Sequence, residues 1–75
     1  MTGREPEIAD SEILNVFIKT EDPVLTAPEI AEKFGYSTSG IYKRLKRLQE
    51  ESLLDSKKVG QGRAWWITNE GKNRL

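Results

Sequence analysis

Apolar residues recur at helical spacing along most of the chain and change to alternation near its end. Ile13, Leu14, Phe17 and Ile18 form one stripe, Ile30, Ala31 and Phe34 a second, and Ile41, Leu45 and Leu48 a third. These spacings gather side chains on one face of a 3.6-residue helix. From Leu54 the period changes: Leu54–Val59 reads as a strand, Gly60-Gln61-Gly62 as a turn and residues 63–68 as a return strand rich in aromatic and β-branched side chains. Such a pattern predicts a hairpin. Alternation puts Arg63, Trp65 and Ile67 on one face of the return strand and Ala64, Trp66 and Thr68 on the other. Trp65 and Ile67 are expected to close the core over three helices, whereas Trp66 fits either an interface or a packing role on the first or last helix.

Local signals set the boundaries. Residues 1–9, with Gly3, Pro6 and several charges, read as a flexible N-terminal arm, and residues 10–75 as one domain. Asp10 is a candidate N-cap for the first helix, with Ile8 or Ala9 available as a hydrophobic staple. Pro23 stops that helix, because the residue before a proline resists the α region. Val24-Leu25 is too short to be more than a one-bridge strand. Thr26 and Glu29 have capping-box spacing, and Pro28 sits in a first turn where its missing N–H costs nothing. The second helix is therefore expected over Ala27–Phe34, ended by Gly35 in the left-handed conformation. Ser37 caps a third helix, read as continuing through residues 37–54. Thr68 to Lys72 looks like a short last turn of helix. Two helices separated by a glycine turn of about three residues make a helix-turn-helix.

Composition narrows the function. At 75 residues the chain has room for one small core. It contains neither Cys nor His, which removes disulfides, Cys nucleophiles, catalytic triads and the zinc or haem sites those residues build. No cofactor or metal is expected, nor is an enzyme. No apolar run is long enough for a membrane span or a signal peptide, so a cytoplasmic location is expected. The net charge of zero hides an asymmetry: residues 1–36 carry three basic and eight acidic side chains, residues 37–63 seven basic and three acidic. A neutral chain with one cationic segment has a local patch for a polyanion.

The order helix, short strand, helix, glycine turn, helix, hairpin is that of a winged helix: α+β, mostly helical, three helices with a two- to three-stranded β wing. The runs TAPEIAEKFGYSTSGIYKRLKRLQEESLL and SKKVGQGRAWWITNEGK resemble prokaryotic winged helix-turn-helix regulators of the MarR-like and ArsR-like kind, particularly small archaeal ones. The resemblance covers roughly residues 13–72. It implies sequence-specific binding of double-stranded DNA, in a transcriptional regulator, with residues 37–51 as recognition helix and 57–63 as wing. Ser52 stands where that family usually has Gly. Little sequence follows Gly71, where larger members add dimerisation helices or an effector domain, and the Cys and His of metal-sensing members are missing; effector sensing is therefore not implied.

On the recognition helix, Lys43, Lys46 and Arg47 fall opposite the apolar stripe and are candidates for groove and phosphate contacts, Arg47 for a bidentate bond to guanine. Thr38, Ser39 and Tyr42 lie near its N-terminus, where base edges and phosphates are met, although Thr38 and Ser39 can equally serve as caps. Arg44 lies closer to the core stripe and is expected to pair with Glu51 or with an acidic residue of the first helix. In the wing, Arg63 is a candidate for a minor groove and Lys57 and Lys58 for phosphates. A homodimer is expected on DNA, since one winged module buries little surface there. The competing function is a winged helix used as a protein-interaction module, its cationic helix meeting an acidic partner.

Overall fold

The computed structural model describes residues 8–75, so the expected arm lies, up to residue 7, outside the described residues. Six elements follow in order: α1 (Asp10–Lys19), α2 (Ala27–Phe34), α3 (Thr38–Glu50), β1 (Leu54–Val59), β2 (Gly62–Ile67) and α4 (Asn69–Arg74). The strands pair antiparallel, with Ser56 opposite Trp65 and Lys58 opposite Arg63. Leu25 adds a single bridge to the outer edge of β2, exchanging two backbone hydrogen bonds with Trp65 at 2.9 and 2.8 Å. The result is an α+β winged helix, with α4 as the short helix expected at its end.

One core fills the space between the helices and the hairpin. Ile13, Leu14, Ile30, Ile41, Leu45, Leu48, Leu54 and Trp65 are fully buried in it. Each helical stripe delivers its side chains there, with one exception: Ile18 is 46% exposed. It stands ~100° around the helix from Phe17, in the wall of an open hollow shared with Trp66 and Ile67 of β2, while Ile8 is buried at the other end of α1.

The first helix also begins differently from the expectation. Ala9, not Asp10, occupies the N-cap position, and no side chain caps it. Asp10 is the first helical residue, and its carboxylate is turned to two arginines of α3. A guanidinium carries a full positive charge where a backbone N–H carries only a dipole, and here two guanidinium groups draw the carboxylate.

The ends of α2 and α3 share one device. At α2, Gly35 takes φ +69°, and the Tyr36 N–H bonds the Ala31 carbonyl at 3.0 Å. At α3, Ser52 takes φ +68°, the Ser52 N–H reaches the Gln49 carbonyl at 2.9 Å and the Leu53 N–H the Leu48 carbonyl at 3.0 Å. Both are Schellman ends, so α3 stops at Glu50 and does not run to Leu54. A serine in the left-handed region is strained where glycine is not. Ser52→Gly should therefore stabilise the domain by about 1 kcal/mol, raising Tm by roughly 4–8 °C. A thermal melt with no upward shift would contradict this.

The hairpin turn is one residue tighter than the sequence suggested. Val59 pairs with Gly62, so only Gly60 and Gln61 lie in the loop and β2 starts at Gly62. Gly60 takes φ +60°, the glycine-first arrangement that suits the twist of the flanking strands. Beyond β2, the Thr68 hydroxyl accepts from the Gly71 N–H at 3.0 Å, capping α4, and donates to the Ser52 carbonyl at 2.7 Å. The Thr68 N–H bonds the Leu53 carbonyl at 3.2 Å.

Candidate nucleic-acid interface

The third helix is held so that its polar side stays open. Ser37 caps it through a 3.1 Å bond from the Gly40 N–H, and its apolar stripe is sunk in the core. Thr38, Ser39, Tyr42, Lys43 and Lys46 are left exposed. Tyr42 turns toward the hairpin, its ring centre 6.0 Å from that of Trp65 with the planes at 81°, an edge-to-face pair. Between the N-terminal half of α3, the start of α2 and the hairpin lies an open cleft of about 570 Å³, lined by Thr38, Tyr42, Lys58 and Arg63 among others.

The register brings Lys58 and Arg63 directly opposite each other on the strand face that also carries Trp65. Like charges so placed repel unless an anion sits between them. Lys57 is opposite Ala64, and alternation sends it to the other face of the hairpin with Trp66. The structure therefore brings Thr38, Tyr42, Lys58 and Arg63 around one cleft, sets Ser39, Lys43 and Lys46 along the outer side of α3, and leaves Lys57 apart.

Arg47 is drawn the other way. Its Nη2 donates to the Asp10 carboxylate at 3.3 Å, on the α1 side of the helix, beside the closer 2.8 Å bond from Arg44 Nη2. The Arg44 bond to Asp10 is the pairing expected with an acidic residue of the first helix, and Arg44 also donates to the Ile8 carbonyl. The Arg44 guanidinium bonded to Asp10 holds that carboxyl below its ordinary range; partial burial opposes the shift, and the charges of Arg44 and Arg47 reinforce it.

Two residues not singled out by sequence connect the wing to the helix. The Ser56 hydroxyl donates to Gln49 Oε1 at 2.8 Å and accepts from Arg63 Nη1 at 3.0 Å. Gln49 follows Tyr42 by seven residues, two helical turns, so it faces the same hairpin; that periodicity was the available signal. Trp66 is half-buried at the rim of a hollow that it shares with Phe17, Ile18 and Pro23. Among the described residues, no group of three or more acidic side chains is placed to hold a metal ion, and no helix is long and apolar enough to cross a membrane.

A helix-turn-helix whose second helix stands open beside a cationic hairpin defines a winged helix-turn-helix module. The profile of the HTH domain family matches residues 10–59, and the chain belongs to that family. Among solved structures, PcaV, a transcriptional regulator from Streptomyces coelicolor, is 26% identical with a TM-score of 0.73, the match covering 84% of this chain and 45% of that one. A mutant of Lactococcus lactis ZitR in its apo form is 27% identical with a TM-score of 0.72, covering 85% and 48%. ZitR is described as a zinc-responsive MarR family member. The antimony-specific repressor AntR shares the fold at 17% identity and a TM-score of 0.71, covering 85% and 56%. The chain thus spans about half the length of these proteins, and the MarR-like likeness read from its sequence is met in its fold. No curated protein sequence matches it.

Proposed function

We propose that this chain is the DNA-binding module of a transcriptional regulator, and that it binds rather than catalyses. The N-terminal half of α3 enters the major groove, with Thr38, Ser39 and Tyr42 near base edges and Lys43 and Lys46 on bases or flanking phosphates. Lys58 and Arg63 hold the backbone beside it, and Lys57 adds only a peripheral charge from the outer face of the hairpin. The observation that carries this reading is the Lys58–Arg63 pair, set across from the open face of α3 on one side of the hairpin. PcaV and AntR, which share the fold, are a transcriptional regulator and a transcriptional repressor. Two copies on half-sites about one helical turn apart would supply the discrimination that one small module lacks.

Binding to a duplex should weaken steeply with salt. If Lys43, Lys46, Lys58 and Arg63 each neutralise one phosphate, the log–log slope is about −3.6 per chain bound, and the affinity of each chain falls roughly 150-fold between 50 and 200 mM salt. Fluorescence anisotropy across a salt series measures it, and the same titration on a selected site gives the stoichiometry, expected to be two chains per site. An isotherm indifferent to salt, or no binding at low salt, rejects the proposal in favour of a protein-interaction module.

A further inference from the structure

The ion pairs among the described residues both run through one carboxylate. Asp10 accepts from Arg44 at 2.8 Å and from Arg47 at 3.3 Å, on the same Oδ1 atom. The two arginines are not equivalent. Arg44 is 21% exposed and is tied additionally to the Ile8 carbonyl, whereas Arg47 is 54% exposed and this long single bond is its contact with Asp10. Arg44 anchors α1 to α3; Arg47 is held loosely and can be exchanged.

Helical spacing puts Glu51, the C-cap residue, on the same side of α3 as the two arginines, so Arg44 and Arg47 are matched there by the carboxylates of Asp10 and Glu51. Electrically that side is balanced, in contrast to the cationic face made by Lys43, Lys46, Lys58 and Arg63. A carboxylate bonded to a guanidinium presents the same anionic oxygens that a DNA phosphate would. Resting on the DNA-binding reading above, we infer that Asp10 is a specificity-determining residue: by occupying Arg47 it competes with DNA phosphate and keeps the arginine side of α3 out of sequence-independent binding. A lower background on random DNA widens the ratio between cognate and random sites, which is the quantity a regulator depends on.

The test is binding to a random-sequence duplex across a salt series. Asp10→Asn keeps an oxygen for Arg44 and removes the charge that holds Arg47. It should tighten random-duplex binding several-fold and steepen the slope by up to ~0.9, one further phosphate. The gain should vanish in the Asp10→Asn/Arg47→Ala double variant, because it travels through Arg47. A gain that persists there, or an Asp10→Asn slope equal to the wild type, overturns the inference. Arg47→Ala alone gives a second readout if Asp10→Asn does not fold. It should leave the random-duplex slope nearly unchanged, whereas Lys43→Ala should reduce it by ~0.9; equal losses for the two overturn the inference while leaving the DNA-binding reading intact. A wild-type protein that binds no duplex at low salt overturns both.

Discussion

Trp65→Ala should lower the stability of the domain by about 3–5 kcal/mol, the range for deleting a fully buried large aromatic. Small domains often hold only ~5 kcal/mol in total, so the variant should be largely unfolded or close to it at 25 °C. The indole is 0% exposed and is among the largest fully buried side chains. Its own backbone carries the bridge to Leu25, and its ring supports Tyr42. The cavity would open where the hairpin, the segment before α2 and the recognition helix meet. Trp65→Phe should be much milder, about 1–2 kcal/mol, since a large aromatic ring remains. Among the described residues the buried indole N–H has no hydrogen-bond partner, so no acceptor among them is stranded when it goes. Urea denaturation of the two variants reads the difference, and an alanine variant within 1 kcal/mol of the wild type contradicts the account.

Gly71→Ala should be the other severe substitution, costing about 3 kcal/mol, the upper end of the overpacking range. A Cβ built at Gly71 would stand 2.2 Å from the Leu53 carbonyl oxygen and 2.7 Å from Ile67 Cγ1. Leu53 cannot retreat cheaply, because its N–H closes the end of α3 and its carbonyl accepts from Thr68. Either the domain loses this stability or α4 leaves the surface. Hydrogen exchange distinguishes the two outcomes, the second exposing only residues after Ile67. Gly62→Ala is the control: its nearest neighbour is the Val59 carbonyl oxygen at 3.9 Å, and its effect should stay within ~0.5 kcal/mol. Similar effects for the two glycines would show that the close approach at Gly71 does not matter.

The contrast between what the sequence revealed and what it hid follows from the range of the interactions. The limits of α2, the left-handed Gly35, the Ser37 cap and the span of β1 all depend on residues a few positions apart, and all are found as read. Trp65 was legible as core because strand alternation and the surrounding stripes agree on one inside. Asp10 carries a local capping signal that the fold overrides, because its partners lie 34 and 37 positions away and nothing nearby in the chain announces them. Ile18 failed for a similar reason: periodicity marks a stripe but not how much of it the hairpin covers. Periodicity alone runs α3 on to Leu54, because Ser52 adopts a conformation that the sequence rules reserve mainly for glycine, whereas the family resemblance, with its helix over residues 37–51, lies within one residue of the observed end. On the exposed side of α3, spacing suffices to gather Thr38, Ser39, Tyr42, Lys43 and Lys46. Separating Lys57 from Lys58 needed only the hairpin register, whereas the pull of Asp10 on Arg47 needed the packing of α1 on α3.

The Gln49–Ser56–Arg63 relay has an entropic consequence. A surface arginine ordinarily samples many rotamers, and fixing one on a ligand costs ~0.5–1.5 kcal/mol. Arg63 gives one of its five N–H groups to Ser56, which orients the guanidinium and leaves its other donors for a phosphate. Ser56 in turn gives its single proton to Gln49 on α3. The wing arginine is therefore ordered before any ligand arrives, in a geometry set by α3, and the hairpin and the open side of the helix stand as one rigid surface.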